Sequence, residues 1–292
     1  MPQIHPAARV LLGIAAVTGW LQSRFPRRPL KGLTRFSALI SRLFPRYVGP
    51  VRLPDGTRFH VDSHIQAERW ILFSGNYQPS LTHLLRSVTP PGGYCLDIGA
   101  NLGFYTVKFA CWVGNQGRVA AFEPNPAMQE QIQRNVELNG FPHVEIVRAA
   151  VHCQSGEITF YIAPDPGKSS VNQIESAVRQ VTVPMLSIDE YVKAQAWPRL
   201  DVIKMDIEGN DCNGVIGMGE SLARFRPVLL FEYQKTTPPD AAGAAFQLLV
   251  DLGYQVWALG RTGELRPFDW RTFADKQIDV LCLPPGRNLP PA

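Results

Sequence analysis

The sequence predicts an α/β protein built on a doubly wound, mostly parallel sheet. From Tyr94 onward, short apolar segments typical of buried strands alternate with helical segments of about 10 to 15 residues. A glycine-rich turn, residues 99–103, stands between the first such strand and the first helix. The second strand ends on the acidic residue Glu123, as strands of nucleoside-binding sheets do. We therefore expect ligands to bind at the carboxyl ends of the strands.

The composition excludes several classes of protein. Of the 292 residues, 45% are hydrophobic and 18% are charged, which is a globular balance rather than a disordered one. The five cysteines are widely separated and form no C-x-x-C pair, so neither a zinc knuckle nor a disulfide framework is expected. This cysteine usage fits a reducing compartment, and we expect a cytoplasmic protein.

Residues 1–50 form a basic arm. Up to Arg52 the chain has nine Lys or Arg and no Asp or Glu, whereas the rest has 20 basic against 25 acidic residues. The apolar run Val10–Leu21 is too short to span a bilayer, and the stretch that follows, to about Tyr47, predicts a basic amphipathic helix. Two interpretations stand: the arm docks on the inner membrane surface, or it packs on the main domain. The slightly acidic body predicts no nucleic-acid partner.

Residues 51–90 predict a hairpin followed by a helical cap. Asp55-Gly56 is a hairpin turn signal between two short strand-like pieces. Helical segments follow around Gln66–Phe73 and Ser80–Val88, and Pro90-Pro91-Gly92-Gly93 then interrupts the chain. The main domain is expected over residues 91–292.

The main domain contains seven strand-like segments, and a hairpin-like piece at Glu157–Ile162 interrupts their alternation with helices. The predicted strands are Tyr94–Ile98, Arg118–Phe122, Val144–Ala149, Asp201–Met205, Val228–Phe231, Gln255–Leu259 and Ile278–Leu283. The predicted helices are Phe104–Val113, Pro126–Leu138, a segment near Asn213–Phe225, and Ala241–Leu252.

The turn after the first strand indicates the kind of cofactor. Gly99, Asn101 and Gly103 give a G-x-x-x-G spacing rather than the G-x-G-x-x-G of dinucleotide binders. Asp97, two residues earlier, would repel a pyrophosphate but suits a ligand with positive charge. S-adenosylmethionine carries an ammonium and a sulfonium and no phosphate, so it is the predicted cofactor.

Two further positions are predicted to contact the nucleoside. Glu123 is the expected acceptor for two ribose hydroxyls, a feature that NAD-binding proteins share. Asn125 follows it as the cap of the next helix, and Ala150 lies where the backbone could meet an adenine edge. Asp97, not Glu123, favours S-adenosylmethionine over NAD.

Four blocks of sequence together resemble the FkbM methyltransferase family. They are Asp97–Thr106, Phe122–Pro126, Lys204–Gly209 and Val228–Glu232, and the resemblance covers about residues 55–260. It implies a class I methyltransferase fold, with seven strands of which the last is antiparallel. It also implies methyl transfer from S-adenosylmethionine, usually to oxygen, often on sugars, lipid-linked glycans or polyketides. The chain departs from the family pattern at Asn210-Asp211-Cys212, which puts a role for Asp211 in doubt, and at Gln78.

A second group of charged residues is predicted to carry the chemistry. Lys204, Asp206 and Glu208 alternate along one strand and its loop, so they point to the same side, and Glu232 ends the neighbouring strand. We expect Asp206 and Glu232 to be the carboxylates beside the buried Lys204. These groups either join the two strands as an ion pair or lie at the reacting methyl group.

Loss of a proton from an alcohol acceptor calls for a general base. Asp206, Glu208 and Glu232 are candidates, as are the two histidines His64 and His83. No metal site is predicted, because the sequence has no clear set of oxygen ligands; the alternative is a divalent metal held by Asp206, Glu208 and an acceptor diol.

The predicted function is O-methylation of a hydroxyl on a glycan, glycolipid or related metabolite, either a small molecule or lipid-linked. A nicotinamide-dependent oxidoreductase is one alternative, which Asp97 and the missing G-x-G-x-x-G disfavour. A catalytically silent, membrane-associated adapter is another, which the acidic strand ends disfavour.

Overall fold

A computed structural model describes residues 6–24 and 32–289, in two compact units. The first comprises residues 1–86 with the short segments 137–140 and 261–263, and the second comprises the remainder. Three basic residues of the arm, Arg27, Arg28 and Lys31, lie outside the described residues. In the part of the chain that the structure covers, no helix is long and apolar enough to cross a membrane.

Helices and strands follow one another along the chain in the order that the sequence predicts, with additions. The helices are α1 (Pro6–Ser23), α2 (Leu33–Leu43), α3 (Gln66–Ser74), α4 (Pro79–Val88), α5 (Phe104–Val113), α6 (Pro126–Asn139), α7 (Ile188–Ala194), α8 (Asp211–Ile216), α9 (Gly219–Phe225) and α10 (Pro239–Asp251). The strands are β1 (Val48–Arg52), β2 (Arg58–Asp62), β3 (Tyr94–Ile98), β4 (Arg118–Phe122), β5 (Val144–Val147), β6 (Ala150–Val151), β7 (Gly156–Ile162), β8 (Arg179–Leu186), β9 (Val202–Met205), β10 (Val228–Gln234), β11 (Gln255–Leu259), β12 (Leu265–Pro267) and β13 (Gln277–Leu283).

In the first unit, β1 and β2 form the antiparallel hairpin that the Asp55-Gly56 turn predicts. The Asp55 carboxylate accepts hydrogen bonds from the Thr57 amide and hydroxyl, at 3.2 and 2.6 Å, and Gly56 takes a φ of +90°. Helices α1 and α2 both pack against α3 in this unit.

The second unit is built on an eight-stranded sheet in the order β12-β11-β13-β10-β9-β3-β4-β5. The five strands from β10 to β5 are parallel, whereas β13 runs antiparallel to both of its neighbours. The predicted doubly wound class I methyltransferase fold, with the last strand antiparallel, is confirmed. The short edge strand β12 adds an eighth strand, which pairs with β11.

Alternation along the central strands separates the hydrophobic core from the row of charged residues. Leu96, Ile98, Ile203 and Met205 belong to one large buried cluster, which α7 to α10 also line. The residues between them point to the opposite face of the sheet, and Lys204 is one of these. A charged side chain therefore lies inside the sheet without interrupting the core on the other face.

Two regions are more elaborate than the sequence predicts. The hairpin-like piece at Glu157–Ile162 is one arm of a long hairpin, because β7 pairs with β8, and β6 joins them in a separate three-stranded sheet. The single helix expected near Asn213–Phe225 is two helices, α8 and α9, with a break at Gly217. A Cβ on Gly217 would lie 2.3 Å from the carbonyl oxygen of His152, so the backbones touch at this break.

Candidate functional site

The glycine-rich loop leaves β3 through a backbone that requires glycine at its first position. Gly99 has a φ of +73°, and a Cβ there would lie 1.9 Å from the carbonyl oxygen of Asp206. The amides of Gly99 and Ala100 both donate to the carbonyl of Phe122, at 3.0 Å. Gly103, with a φ of +83°, then opens α5. The loop is thus fixed against the ends of both β4 and β9.

Asp97 and Lys204 occupy directly opposed positions on the paired strands β3 and β9. Lys204 Nζ lies 3.7 Å from Asp97 Oδ1, and the Thr106 hydroxyl donates to Asp97 Oδ2 at 2.6 Å. Only 1% of the Asp97 side chain is exposed, and burial raises its pKa while Lys204 and Thr106 oppose that rise. These contacts make Asp97 the anchor of Lys204 and of α5; its direct contact with a cofactor stays a prediction.

The second carboxylate beside Lys204 is Asp206, as predicted, at 3.9 Å, and the ammonium also approaches the carbonyl of Gly99 at 3.4 Å. The predicted pairing of Glu232 with Lys204 stays a prediction. Lys204 lies opposite Leu230 on β10, so Glu232 stands two residues further toward the carboxyl end. Asp97, at the same level as Lys204 on the other neighbouring strand, is a partner that the sequence did not predict.

Glu123 joins the glycine-rich loop to the end of β4. Its two carboxylate oxygens accept hydrogen bonds from the amides of Asn101 and Asn125, each at 2.8 Å. Burial raises its pKa to about 7, although both amides favour the ionised form. Each oxygen keeps acceptor capacity that a hydroxyl could use. The predicted ribose contact is compatible with this geometry.

The remaining predicted cofactor positions have structural partners. The Asn125 side chain accepts a hydrogen bond from the Ala127 amide at 3.1 Å, which is the predicted helix cap of α6. Ala150 is buried in β6 and pairs with Met185 of β8. Cofactor contacts by Asn125 and Ala150 stay predictions.

Beyond Lys204, acidic side chains gather at the carboxyl edge of β9 and β10. Glu232 faces Asp279 at paired positions of β10 and β13, and the charge of Asp206 acts on both. Burial, followed by the Asp206 charge, raises the pKa of Glu232 to about 8 and those of Glu208 and Asp279 to about 7. Buried carboxyl groups with raised pKa values are typical of sites that transfer protons.

Two amide side chains orient Glu232. Gln234 Nε2 donates to one of its carboxylate oxygens and Gln277 Nε2 to the other, both at 2.7 Å. The sequence reasoning missed Gln234, Gln277 and Asp279. The signal was the alternation of Gln277 and Asp279 in an otherwise apolar last strand, whose register against β10 is not evident from sequence.

Glu208 stands in a strained turn after β9, with a φ of +53°. Its carbonyl accepts hydrogen bonds from the Ser170 hydroxyl at 3.1 Å and the Asn172 amide group at 3.4 Å, and its carboxylate accepts one from Gln234 at 3.4 Å. The connection between β7 and β8 therefore holds this turn in place. Asp211, buried at the start of α8, accepts from the Ile207 amide at 3.3 Å.

Among the residues that the structure describes, no three or more His, Cys, Asp or Glu side chains are arranged to hold a metal ion. His64 and His83 belong to the first unit, and their candidacy as bases stays a prediction.

The donor set fits S-adenosylmethionine better than a dinucleotide. Within the described residues, Asp97 Oδ1 is buried without a hydrogen-bond donor, and carboxyl groups rather than arginines lie around the loop. Such a site disfavours phosphate and favours a ligand with positive charge. With such a ligand bound, Glu123 would hold the nucleoside and the backbone of the Gly99 loop would approach it.

Comparisons with known proteins identify the family. A family model described as "Methyltransferase FkbM domain" matches residues 97–256. The hexuronic acid methyltransferase AglP of Haloferax volcanii is 27% identical over 183 residues, which cover 63% of this chain and 73% of that protein. A protein-L-isoaspartate O-methyltransferase of Triticum aestivum is 27% identical over 109 residues, covering 35% and 44% of the two chains.

Among solved structures, the methyltransferase FkbM of Methylobacillus flagellatus is similar, with 14% identity and a TM-score of 0.43. The match covers 75% of this chain and 54% of that one. The family match decides against the oxidoreductase alternative. The chain belongs to the FkbM methyltransferase family and is an S-adenosylmethionine-dependent methyltransferase.

Proposed function

We propose that this enzyme methylates a hydroxyl group of a sugar, in a glycan or glycolipid. The observation that carries the proposal is the Glu232 carboxyl group, held by two amides at the carboxyl edge of the sheet beside Asp206, Glu208 and Asp279. Carboxylate and amide groups together supply the acceptors and donors that sugar hydroxyls need. The similarity to a relative named for hexuronic acid supports a sugar acceptor.

The charge of the site favours a neutral sugar over a uronic acid. Glu208, Glu232 and Asp279 already have raised pKa values because burial and the Asp206 charge disfavour further negative charge. A uronate carboxylate would add another anion to this group. We therefore propose a neutral hexose as acceptor.

In the proposed mechanism, the hydroxyl oxygen of the sugar bonds to the methyl carbon, and Glu232 accepts the proton that this hydroxyl loses. S-adenosylmethionine supplies the methyl group on a sulfonium sulfur, which retains the electron pair of the broken C–S bond. Gln234 and Gln277 fix the orientation of the Glu232 carboxylate, and Asp206 and Glu208 accept hydrogen bonds from neighbouring sugar hydroxyls. Lys204 holds Asp206 and the Gly99 carbonyl in place. Orientation of this kind accounts for a large share of rate enhancement, up to about 7–11 kcal/mol.

A methyl-transfer assay tests the proposal. Purified enzyme is incubated with S-adenosylmethionine and matched neutral and uronic acid glycosides, and products are examined by mass spectrometry for one added methyl group. We expect methylation of neutral glycosides, and we expect Glu232→Gln to lower turnover at least about 100-fold. Binding of S-adenosylhomocysteine should remain nearly unchanged in that variant, because Glu232 is not among the predicted cofactor contacts.

Glu130→Gln, at an exposed position of α6, is the matched control and should retain full activity. Methylation of uronic acids alone would contradict the neutral acceptor, and methylation of nitrogen or carbon would contradict a sugar hydroxyl. Full turnover in a folded Glu232→Gln enzyme would remove Glu232 from the mechanism.

A further inference from the structure

Helix α2 buries polar side chains and exposes apolar ones. Its buried residues are Leu33, Ser37 and Ser41, whereas Phe36, Leu39 and Leu43 are exposed to solvent. The amphipathic pattern in the sequence suggests that the apolar stripe would be the packed face. The structure reverses this arrangement for most of the helix. Phe36 meets Phe73 of α3 edge-on, with ring centroids 6.5 Å apart, but Leu39 and Leu43 stay 57% and 68% exposed, so packing against α3 accounts for only part of the apolar stripe.

Helix α1 presents a second exposed apolar face. The two helices together carry seven of the twelve exposed large hydrophobic residues in the described chain, each between 41% and 68% exposed: Val10, Val17, Trp20, Leu21, Phe36, Leu39 and Leu43. On each helix, neighbouring members of this set are three, four or seven residues apart, which places most of them along one side of the helix. Such a concentration marks an interaction surface rather than scattered exposure. We call these seven residues the apolar face.

Trp20 connects the apolar face with the interior of the first unit. It also lines a cavity of about 490 Å³, together with Leu12, Leu53, Pro54 and Leu72. The apolar surface therefore continues from α1 toward the β1–β2 hairpin.

The charged residues of α1 and α2 are all of one sign. Arg9 and Arg24 lie at the ends of α1, Arg35 and Arg42 lie on α2, and all four are exposed. The Arg24 guanidinium stacks over Trp20, 4.5 Å from the ring centroid. The sequence has no acidic residue before Asp55 that could offset these charges. Helices with apolar residues on one face and arginines beside them bind anionic lipid surfaces, and tryptophan prefers the headgroup region.

We propose that α1 and α2 dock this methyltransferase on an anionic membrane. The apolar face enters the headgroup region, with Arg9, Arg24, Arg35 and Arg42 at the lipid phosphates. A peripheral protein partner would need acidic side chains to match the arginines, and it is an outcome of the test rather than part of the proposal. The proposal does not depend on the identity of the methyl acceptor.

Vesicle flotation with the full-length chain tests the docking. Vesicles of phosphatidylcholine alone are compared with vesicles of equal parts phosphatidylcholine and phosphatidylglycerol. We expect the protein to float with the anionic vesicles at low salt and to be released as salt shortens the Debye length to about 3 Å at 1 M. Equal binding to both vesicles, or to neither, would overturn the proposal.

Matched variants separate the apolar face from exposed apolar residues elsewhere. Leu39→Ser with Leu43→Ser should weaken binding to anionic vesicles at least about tenfold, because two buried leucine side chains are lost from the complex. Val178→Ser with Val250→Ser, at exposed positions of the second unit, should bind like the unaltered chain. Both variants should retain the melting temperature and S-adenosylhomocysteine binding of the unaltered enzyme, since all four side chains are exposed.

Lipid quenching gives a measurement that does not depend on those variants. Brominated phosphatidylglycerol should quench part of the tryptophan emission of the unaltered protein, and Trp20→Phe should lose that part. Emission unchanged by brominated anionic vesicles would overturn the proposal. Vesicle-independent capture by an acidic protein, without quenching, would assign the apolar face to a protein partner instead.

Discussion

At the scale of single residues, Lys204 is the cation around which the acids of the second unit are arranged. It lies between Asp97 and Asp206, and its charge also lowers the pKa values of Glu123, Glu208 and Asp279 against the effect of burial. Because Asp97 is almost fully buried, it depends on Lys204 for a neighbouring opposite charge. The pair therefore holds the ends of β3 and β9 in register beneath the loop.

Removing the cation alone should destabilise the protein strongly. We expect Lys204→Met to lower the free energy of unfolding by about 3–5 kcal/mol, since it leaves a buried carboxylate unpaired. Adding Asp97→Asn to Lys204→Met should restore a substantial part of that loss. Urea unfolding of the two single variants and the double variant measures the coupling. Lys193→Met, at an exposed site of α7, serves as control, and a similarly small effect at Lys204 would contradict the role of the pair.

Sequence alone could predict part of the site at this scale. Lys204 lies on β9 and Asp206 directly follows that strand, two residues later, so their proximity follows from continued strand geometry. The pairing of Lys204 with Asp97 depends on the register between β3 and β9, which sequence does not give. Asp279 was missed for the same reason, because its position opposite Glu232 arises only when β13 pairs antiparallel with β10.

At the scale of elements, the close contact between the Gly99 loop and the end of β9 determines the geometry of the site. The loop passes so near the Asp206 carbonyl that a side chain at Gly99 has no room. In addition, the Asp206 amide donates to the carbonyl of Ile98 at 3.0 Å, which ties the two segments together. Any outward movement of the loop would therefore also displace Asp206.

Gly99→Ala should separate backbone strain from this steric contact when it is compared with Gly114→Ala. Both glycines have positive φ, at +73° and +65°, and Gly114, with ψ −175°, lies in a region that essentially only glycine adopts, so both substitutions introduce conformational strain and Gly114→Ala is a stringent control for it. Only at Gly99 would the new Cβ clash with backbone, whereas at Gly114 nothing lies within 4 Å. We expect Gly99→Ala to abolish S-adenosylhomocysteine binding in calorimetry and Gly114→Ala to preserve it. Equal binding by the two variants would contradict the close contact.

The sequence did not predict a strand whose pairing partners are distant along the chain, nor a helix break that is caused by a tertiary contact. Strand β8 was not predicted, and its identity as a strand depends on pairing with β7 and with β6. The break between α8 and α9 results from the approach of the His152 backbone to Gly217. By contrast, α6 begins at Pro126 behind the Asn125 cap and ends before Gly140, where local signals were sufficient.

At the scale of the whole molecule, basic and acidic residues are distributed unevenly along the chain. Before position 53 the chain has nine basic residues and no acidic one, while most carboxyl groups with raised pKa values lie at the carboxyl edge of one sheet. The excess of basic residues in the arm was evident from the composition, and the fold was evident from the four blocks of sequence that resemble the FkbM family. The raised pKa values were not, because they arise from burial and from the convergence of strands that are distant in sequence.

These carboxyl groups should make stability and activity depend on pH in opposite directions. Ordinary glutamate and aspartate pKa values are about 4, whereas burial raises those of Glu208, Glu232 and Asp279 to between about 7 and about 8 in the folded protein. The folded state therefore binds more protons than the unfolded state between about pH 4 and pH 8, so the free energy of unfolding should fall as pH rises through that window. Each group contributes at most about 1.4 kcal/mol per pH unit.

Methyl transfer should increase over the upper part of the same window, because Glu232 must lose its proton to act as a base. Urea unfolding and turnover measured from about pH 5.5 to about pH 8.5 test both slopes, and Glu232→Gln should reduce the slope of stability while Glu130→Gln should not. A free energy of unfolding that rises with pH in this window would contradict the prediction. It would indicate that Glu208, Glu232 and Asp279 are ionised in the folded enzyme, because the charge of Lys204 lowers their pKa values more than burial raises them.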